Sequence, residues 1–172
     1  MTSAQPEETR GHGPQDSPSF KPGVEICSSN FVVRLSTDKD GHVCFVIYYL
    51  RANGARDGLQ YASSEFLTEL VDNLNLVETQ IKRDGVESKP QVLGRRVGVG
   101  ISSRHYTGTD TETFVAELLV GGDGRHWNNR VGGSFDVSLI SELRQLTSEV
   151  LDLMRKEAIR EQKGLGFKFK AT

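Results

Sequence analysis

Apolar residues recur at helical spacing in two stretches, at positions 66, 67, 70, 71, 74, 77 and 81 and again at 139, 140, 143, 146, 150, 151 and 154. Both sets follow the 3.6-residue period and predict amphipathic helices. The first is capped by Ser63 or Ser64 and ended by Arg83-Asp84-Gly85; the second is capped by Asp136 or Ser138 and turns polar from Met154 to about Gln162. Elsewhere the period shortens to two, as strands require. Phe31 to Leu35 and Val43 to Leu50 read as a hairpin across Asp38-Lys39-Asp40-Gly41, whose residues suit turn geometry. Both faces of Val43 to Leu50 are apolar, which predicts a central strand covered on both sides. A polar loop from Asn53 to Gly58 and a short strand at Leu59 to Tyr61 lead into the first helix. Further on, a strand over Val92 to Ser103 sets Val97, Val99 and Ile101 on one face and Gly98 and Gly100 on the other, where bare glycine leaves room for close approach. Strands at Phe114 to Val120 and Arg125 to Val131, then a break at Gly132-Gly133, complete the approach to the second helix.

The two helical patterns superpose. Phe66, Leu67, Leu70, Val77 and Ile81 fall on Leu139, Ile140, Leu143, Val150 and Met154 at a fixed offset of 73, and Glu69 falls on Glu142. An internal repeat of a strand-strand-helix unit is expected, and it governs the fold more than any single residue. The predicted class is α+β: two tandem repeats, about 31–82 and 92–161, each an antiparallel multistranded sheet closed by a helix, within one domain over 24–162. Residues 1–23 hold four of the five prolines and predict a disordered arm, and 163–172 form a tail with Phe167 and Phe169 among lysines.

Composition narrows the picture only modestly. At 172 residues, with 36% hydrophobic content and a formal charge of -2, the chain has neither the basic excess of a duplex-binding protein nor an acidic tail. The longest apolar run has eight residues, far short of the roughly 20 that cross a bilayer, so no membrane partner is expected. The acidic Glu7-Glu8 start has no apolar segment behind it, and an intracellular location is expected, in nucleus, cytoplasm or mitochondrion. Cys27 and Cys44 form neither a CxxC pair nor a disulfide framework.

Motifs for phosphate-loop, zinc-protease and acyl-transfer chemistry are missing, and the glycines at 94, 98 and 100 sit in a predicted strand rather than at a strand-to-helix turn. Asp38, Asp40 and Gly41 open like a calcium loop but lack an acid at its twelfth position. A non-enzymatic protein with no metal and no small-molecule cofactor is expected. Basic residues, by contrast, cluster: between Lys82 and Tyr106 stand six lysines and arginines against two acids. Single strands are held by basic grooves with aromatic stacking platforms. The residues that fit this chemistry are Arg95, Arg96, Arg104, Tyr106, Arg125, Trp127 and Arg130. The alternative for these residues is Trp127 in the core and the arginines on a solvated sheet face.

Two sheet-plus-helix copies over about Phe31 to Met154, most closely Phe114 to Leu143, resemble the Whirly-type fold of the plant Whirly proteins, the trypanosome mitochondrial guide-RNA-binding proteins and the positive transcriptional coactivator family. The Lys-Gly-Lys-Ala-Ala-Leu motif of the plant proteins is absent. The resemblance implies crossed helices, sheets projecting as blades, a homo- or hetero-oligomer, and single-stranded DNA or RNA held along strand surfaces. The rival expectation is a structural or assembly subunit, of capsid or scaffold type, whose helices make protein contacts.

Overall fold

In the computed structural model the described residues are 23–37, 43–62, 64–120 and 129–162. The first half runs β1 (Glu25–Cys27), β2 (Phe31–Thr37), β3 (Val43–Leu50), β4 (Arg56–Ala62) and α1 (Ser64–Asp84). A short 3₁₀ turn at Val86–Ser88 leads to β5 (Gln91–Leu93), β6 (Val97–His105), β7 (Glu112–Val120) and β8 (Asn129–Asp136). A second 3₁₀ turn at Val137–Leu139 then opens α2 (Ile140–Gln162). Each set of four strands forms its own antiparallel sheet in sequential order, so the class is α+β with two four-stranded sheets and two helices.

The second half repeats the element order of the first, and the repeating unit is larger than the hydrophobic pattern indicates. β1 and β5 are three-residue strands too short to register as periodic. The stretch Val92 to Ser103 is not one strand, because Gly94 N–H bonds back to Val97 O at 3.0 Å and the chain reverses there. The same reversal precedes β2, where Ser28 N–H reaches Phe31 O at 2.9 Å. Gly132-Gly133 is no break either: β8 runs through both glycines to Asp136. β4 likewise starts earlier than Leu59, at Arg56, because Asn53 Oδ1 accepts from Ala55 N–H and Gly54, at φ 82°, tightens the turn before it. Register shifts fall between Ile47 and Tyr48 in one sheet and between Glu117 and Leu119 in the other.

The helices are exchanged between halves. α1 lies against β5 and β6 of the second sheet, α2 lies against β1 and β2 of the first, the two helices pack on each other, and β4 abuts β8. The 73-residue offset carries over to burial. Leu67, Leu70, Leu74 and Val77 are fully buried, and the residues 73 positions later, Ile140, Leu143, Thr147 and Val150, are buried too. Burying a leucine or valine side chain contributes about 1.5–3 kcal/mol, so each helix is held mainly by this stripe rather than by its propensity. One contiguous core results, with Phe135 of β8 set edge-on to Phe31 of β2 at 5.2 Å. Because the stripes are covered within a single chain, they do not call for a partner subunit.

The expected turn at Asp38 to Gly41, the tail 163–172 and the arm up to residue 22 lie outside the described residues. Gly23, counted with the arm in the sequence reading, is tied to the first sheet by its N–H to Leu35 O at 2.8 Å.

Candidate nucleic-acid interface

The Arg95-Arg96 pair occupies the turn between β5 and β6, and α1 builds that turn. Glu69 Oε1 accepts the Arg96 N–H at 2.8 Å and the Val97 N–H at 3.3 Å. One turn further along the helix, buried Asn73 donates its Nδ2 to Val97 O at 2.8 Å. These groups converge on Gly94: a Cβ there would run into Glu69 Oε1 and stand 2.6 Å from Val97 O and 2.7 Å from Asn73 Nδ2. Glycine is therefore required by close approach. The Arg96 guanidinium pairs with Glu65 in the first turn of the same helix, whereas exposed Arg95 makes no ion pair among the described residues.

Arg104 and Tyr106 lie at the other end of β6. With nine residues in that strand, at about 3.3 Å per residue, the two ends are on the order of 25 Å apart. Arg104 reaches across to Glu117 of β7 at 3.4 Å. Tyr106 is 57% exposed, the most exposed large hydrophobic side chain among the described residues. Its carbonyl anchors the next turn, accepting from Thr109 N–H at 3.0 Å, with Gly108 at φ 92°. Nearby Glu112 is held below the usual carboxylate range, chiefly by a hydrogen bond from Ser103 against the opposing effect of burial, with Lys89 and His105 adding to it.

The seven residues singled out from the sequence thus do not gather at one point. Arg95 and Arg96 stand at one rim of the second sheet and Arg104 and Tyr106 at the other. Arg130 sits on β8 opposite Leu119. Arg125 and Trp127 lie outside the described residues. Gly98 and Gly100 do face away from the helices. The space over Gly100 is taken by side chains of its neighbours, Leu119 at 3.3 Å and Gln91 at 3.6 Å from a Cβ built there.

Sequence reasoning missed the outer face of the first sheet. There Arg56 lies 5.9 Å from the centre of the Tyr48 ring and holds Glu25 through both guanidinium nitrogens, at 2.5 and 3.0 Å, which lowers the Glu25 carboxyl and raises the guanidinium. Exposed Arg34 pairs with Glu25 across β1 and β2 by register. The alternation in β2 and β3, which puts Arg34, Val46 and Tyr48 on one face, was the signal available for it.

It also missed what the aligned glutamates do. Glu142 of α2 reaches the β1–β2 turn: Oε1 accepts the Ser28 hydroxyl at 2.6 Å and the Asn30 N–H at 2.7 Å, and Oε2 accepts Asn30 Nδ2 at 2.8 Å. Burial alone would raise this carboxyl. The hydrogen bonds from Ser28, Asn30 and the Ser29 amide outweigh it and leave the group below its ordinary value.

No protein-family model matches the chain, and no curated protein matches it either. No helix among the described residues is long and apolar enough to cross a membrane.

Proposed function

We propose that the protein binds single-stranded DNA or RNA, without catalysis, along the second sheet and its rims. The observation that carries the reading is that exposed guanidinium groups and an exposed aromatic ring flank one strand: Arg95 before β6, Arg104 near its end and Tyr106 just past it. A span of about 25 Å suits several nucleotides of an extended strand, held by phosphate contacts at the ends and by a base on the ring. Arg96 and Arg104, already paired with Glu65 and Glu117, trade a carboxylate for a phosphate, so each adds less than an unpaired arginine.

The twofold run of four strands and a helix, with the helices crossed, supports a Whirly-type arrangement for this proposal. The assembly alternative draws less support. Among the described residues the surfaces its helices would offer are polar, with Asp72, Asn75, Thr79, Gln145, Glu149 and Asp152 exposed and Leu76 the large apolar exception.

Fluorescence polarisation with labelled oligothymidine and oligouridine tests the reading. Binding should weaken with salt at a slope of roughly -0.7 per phosphate contacted. Tyr106→Ala should cost about 1–3 kcal/mol with little change in that slope, and Arg95→Ala should flatten it by about one contact. Absence of binding to either oligomer at low salt removes the proposal.

A further inference from the structure

The two halves hold each other through contacts that a second copy of the chain can supply equally well. Each helix is buried on the opposite half's sheet. Each half's first hairpin is fastened by a glutamate of the other half's helix, Glu69 on the second and Glu142 on the first. Glu78 of α1 bonds Arg144 of α2 at 2.7 Å, and Phe135 meets Phe31. Neither half has a helix of its own to cover its sheet.

A single short connector makes these contacts intramolecular. It runs from Gly85 to Pro90, with Gly85 at φ 83° and Lys89 at φ 48°, ψ 57°. Lys89 is the one non-glycine residue with positive φ among the described residues. A left-handed conformation strains a residue that carries a Cβ, and short hinges under strain favour exchange of elements between chains. Straightening this connector releases Lys89 and separates the halves, while buried Pro90, whose carbonyl accepts the Ile101 N–H at 3.0 Å, stays on the second sheet.

We propose that two chains exchange halves through the Gly85–Pro90 connector, forming a dimer in which the first half of each chain closes on the second half of the other. Every contact between halves is then rebuilt in trans and the connector alone changes conformation. This inference is independent of the nucleic-acid reading, since it uses no side chain of the proposed interface.

Disulfide trapping tests it in the full chain. Glu78→Cys and Arg144→Cys are made on separate chains, each with Cys27→Ser to remove the exposed thiol. The two are mixed, unfolded, refolded together at high protein concentration and oxidised. A covalent heterodimer is expected on a non-reducing gel. It should be several-fold weaker when already folded chains are mixed, and weaker again with Lys89→Gly in both. The double variant on one chain, refolded dilute, shows that the two positions can bridge. If that chain bridges internally while the mixed chains give no heterodimer, or no more than either variant alone, exchange is overturned. Should the double variant fail to bridge, the chain lacking Glu87 and Ser88 decides by its mass in solution: a folded dimer supports exchange and a folded monomer overturns it.

Discussion

The β1–β2 and β5–β6 hairpins solve one problem with different chemistry. In both, a two-residue tip follows a residue whose N–H closes the turn, Ser28 in one and Gly94 in the other, and a glutamate from the other half's helix reaches in. At the first hairpin the carboxylate is met by side chains, the Ser28 hydroxyl and the Asn30 amide, along with the Asn30 N–H. At the second it is met by backbone alone, the N–H groups of Arg96 and Val97. The second solution works only because Gly94 has no side chain, which lets the carboxylate sit where a Cβ would be. In exchange neither arginine side chain is spent on the carboxylate: Arg96 pairs with Glu65, and Arg95 is exposed. Both turns are thus closed by a carboxylate, one through tip side chains and one without them.

The largest effect that separates the two hairpins is expected at this glycine. Gly94→Ala must displace Glu69 and crowds Val97 O and Asn73 as well, so it loses the carboxylate's hydrogen bonds as well as forcing a shift. Overpacking costs about 1–3 kcal/mol and charge-assisted bonds about 1.5–3 each, which places the loss at roughly 3 kcal/mol or more. Denaturant unfolding measures it. Ser28→Gly at the matching position should cost far less, and equal losses would show that the two turns are not built differently.

Next in size is removal of the carboxylates themselves. Glu142→Ala strands the Ser28 hydroxyl, both Asn30 donors and the Ser29 amide and should lower stability by about 2–4 kcal/mol; Glu69→Ala strands two donors and should cost about 1.5–3. Their order, read from urea midpoints at neutral pH, checks the count of donors, and a larger loss at Glu69 would reverse the comparison.

These glutamates also mark the limit of what the sequence conveys. Their 73-residue spacing was visible beside the leucines, because a helix stripe is periodic and leaves a signature in order alone. Their partners were not, because Ser28 and Asn30 lie more than a hundred residues from Glu142 and carry no pattern. The same reason hid β1 and β5: three residues are too few for a period of two, and their identity as strands comes from the neighbour they pair with. Gly94 read as a strand residue for want of any sign that the chain reverses there. At the candidate interface, composition brought out Arg95, Arg96, Arg104 and Tyr106 as a cluster, but adjacency in sequence becomes separation along an extended strand. Arg56 and Tyr48 were overlooked because they come together only through the register of β3 with its neighbours.

A smaller effect should appear with pH. The Glu142 carboxyl titrates below its ordinary value in the folded chain, so the unfolded chain takes up protons first as pH falls. Its contribution is therefore complete above the unfolded value of about 4.3 and disappears as pH drops through the lowered folded one. Glu78, opposed by burial but lowered by Arg144 and Lys82, acts in the same direction. Glu142→Gln should thus be less stable than the parent at neutral pH, with the gap closing under acid conditions. A gap that stays constant down to the acid limit would mean the carboxylate is not held as described.

The finest distinction rests on one hydroxyl. Ser28 Oγ donates to Glu142 at 2.6 Å while accepting the Phe31 N–H at 3.3 Å, linking the carboxylate to the first residue of β2. Ser28→Ala removes that link but leaves both Asn30 donors on Glu142, so a loss of about 0.5–1.5 kcal/mol is expected. Paired with Glu142→Ala in a double-mutant cycle, the two losses should fall short of additive, since Ser28 has less to bind once the carboxylate is gone. Full additivity would assign the hydroxyl's contribution to Phe31 alone, and the first hairpin would then depend on its backbone as the second does.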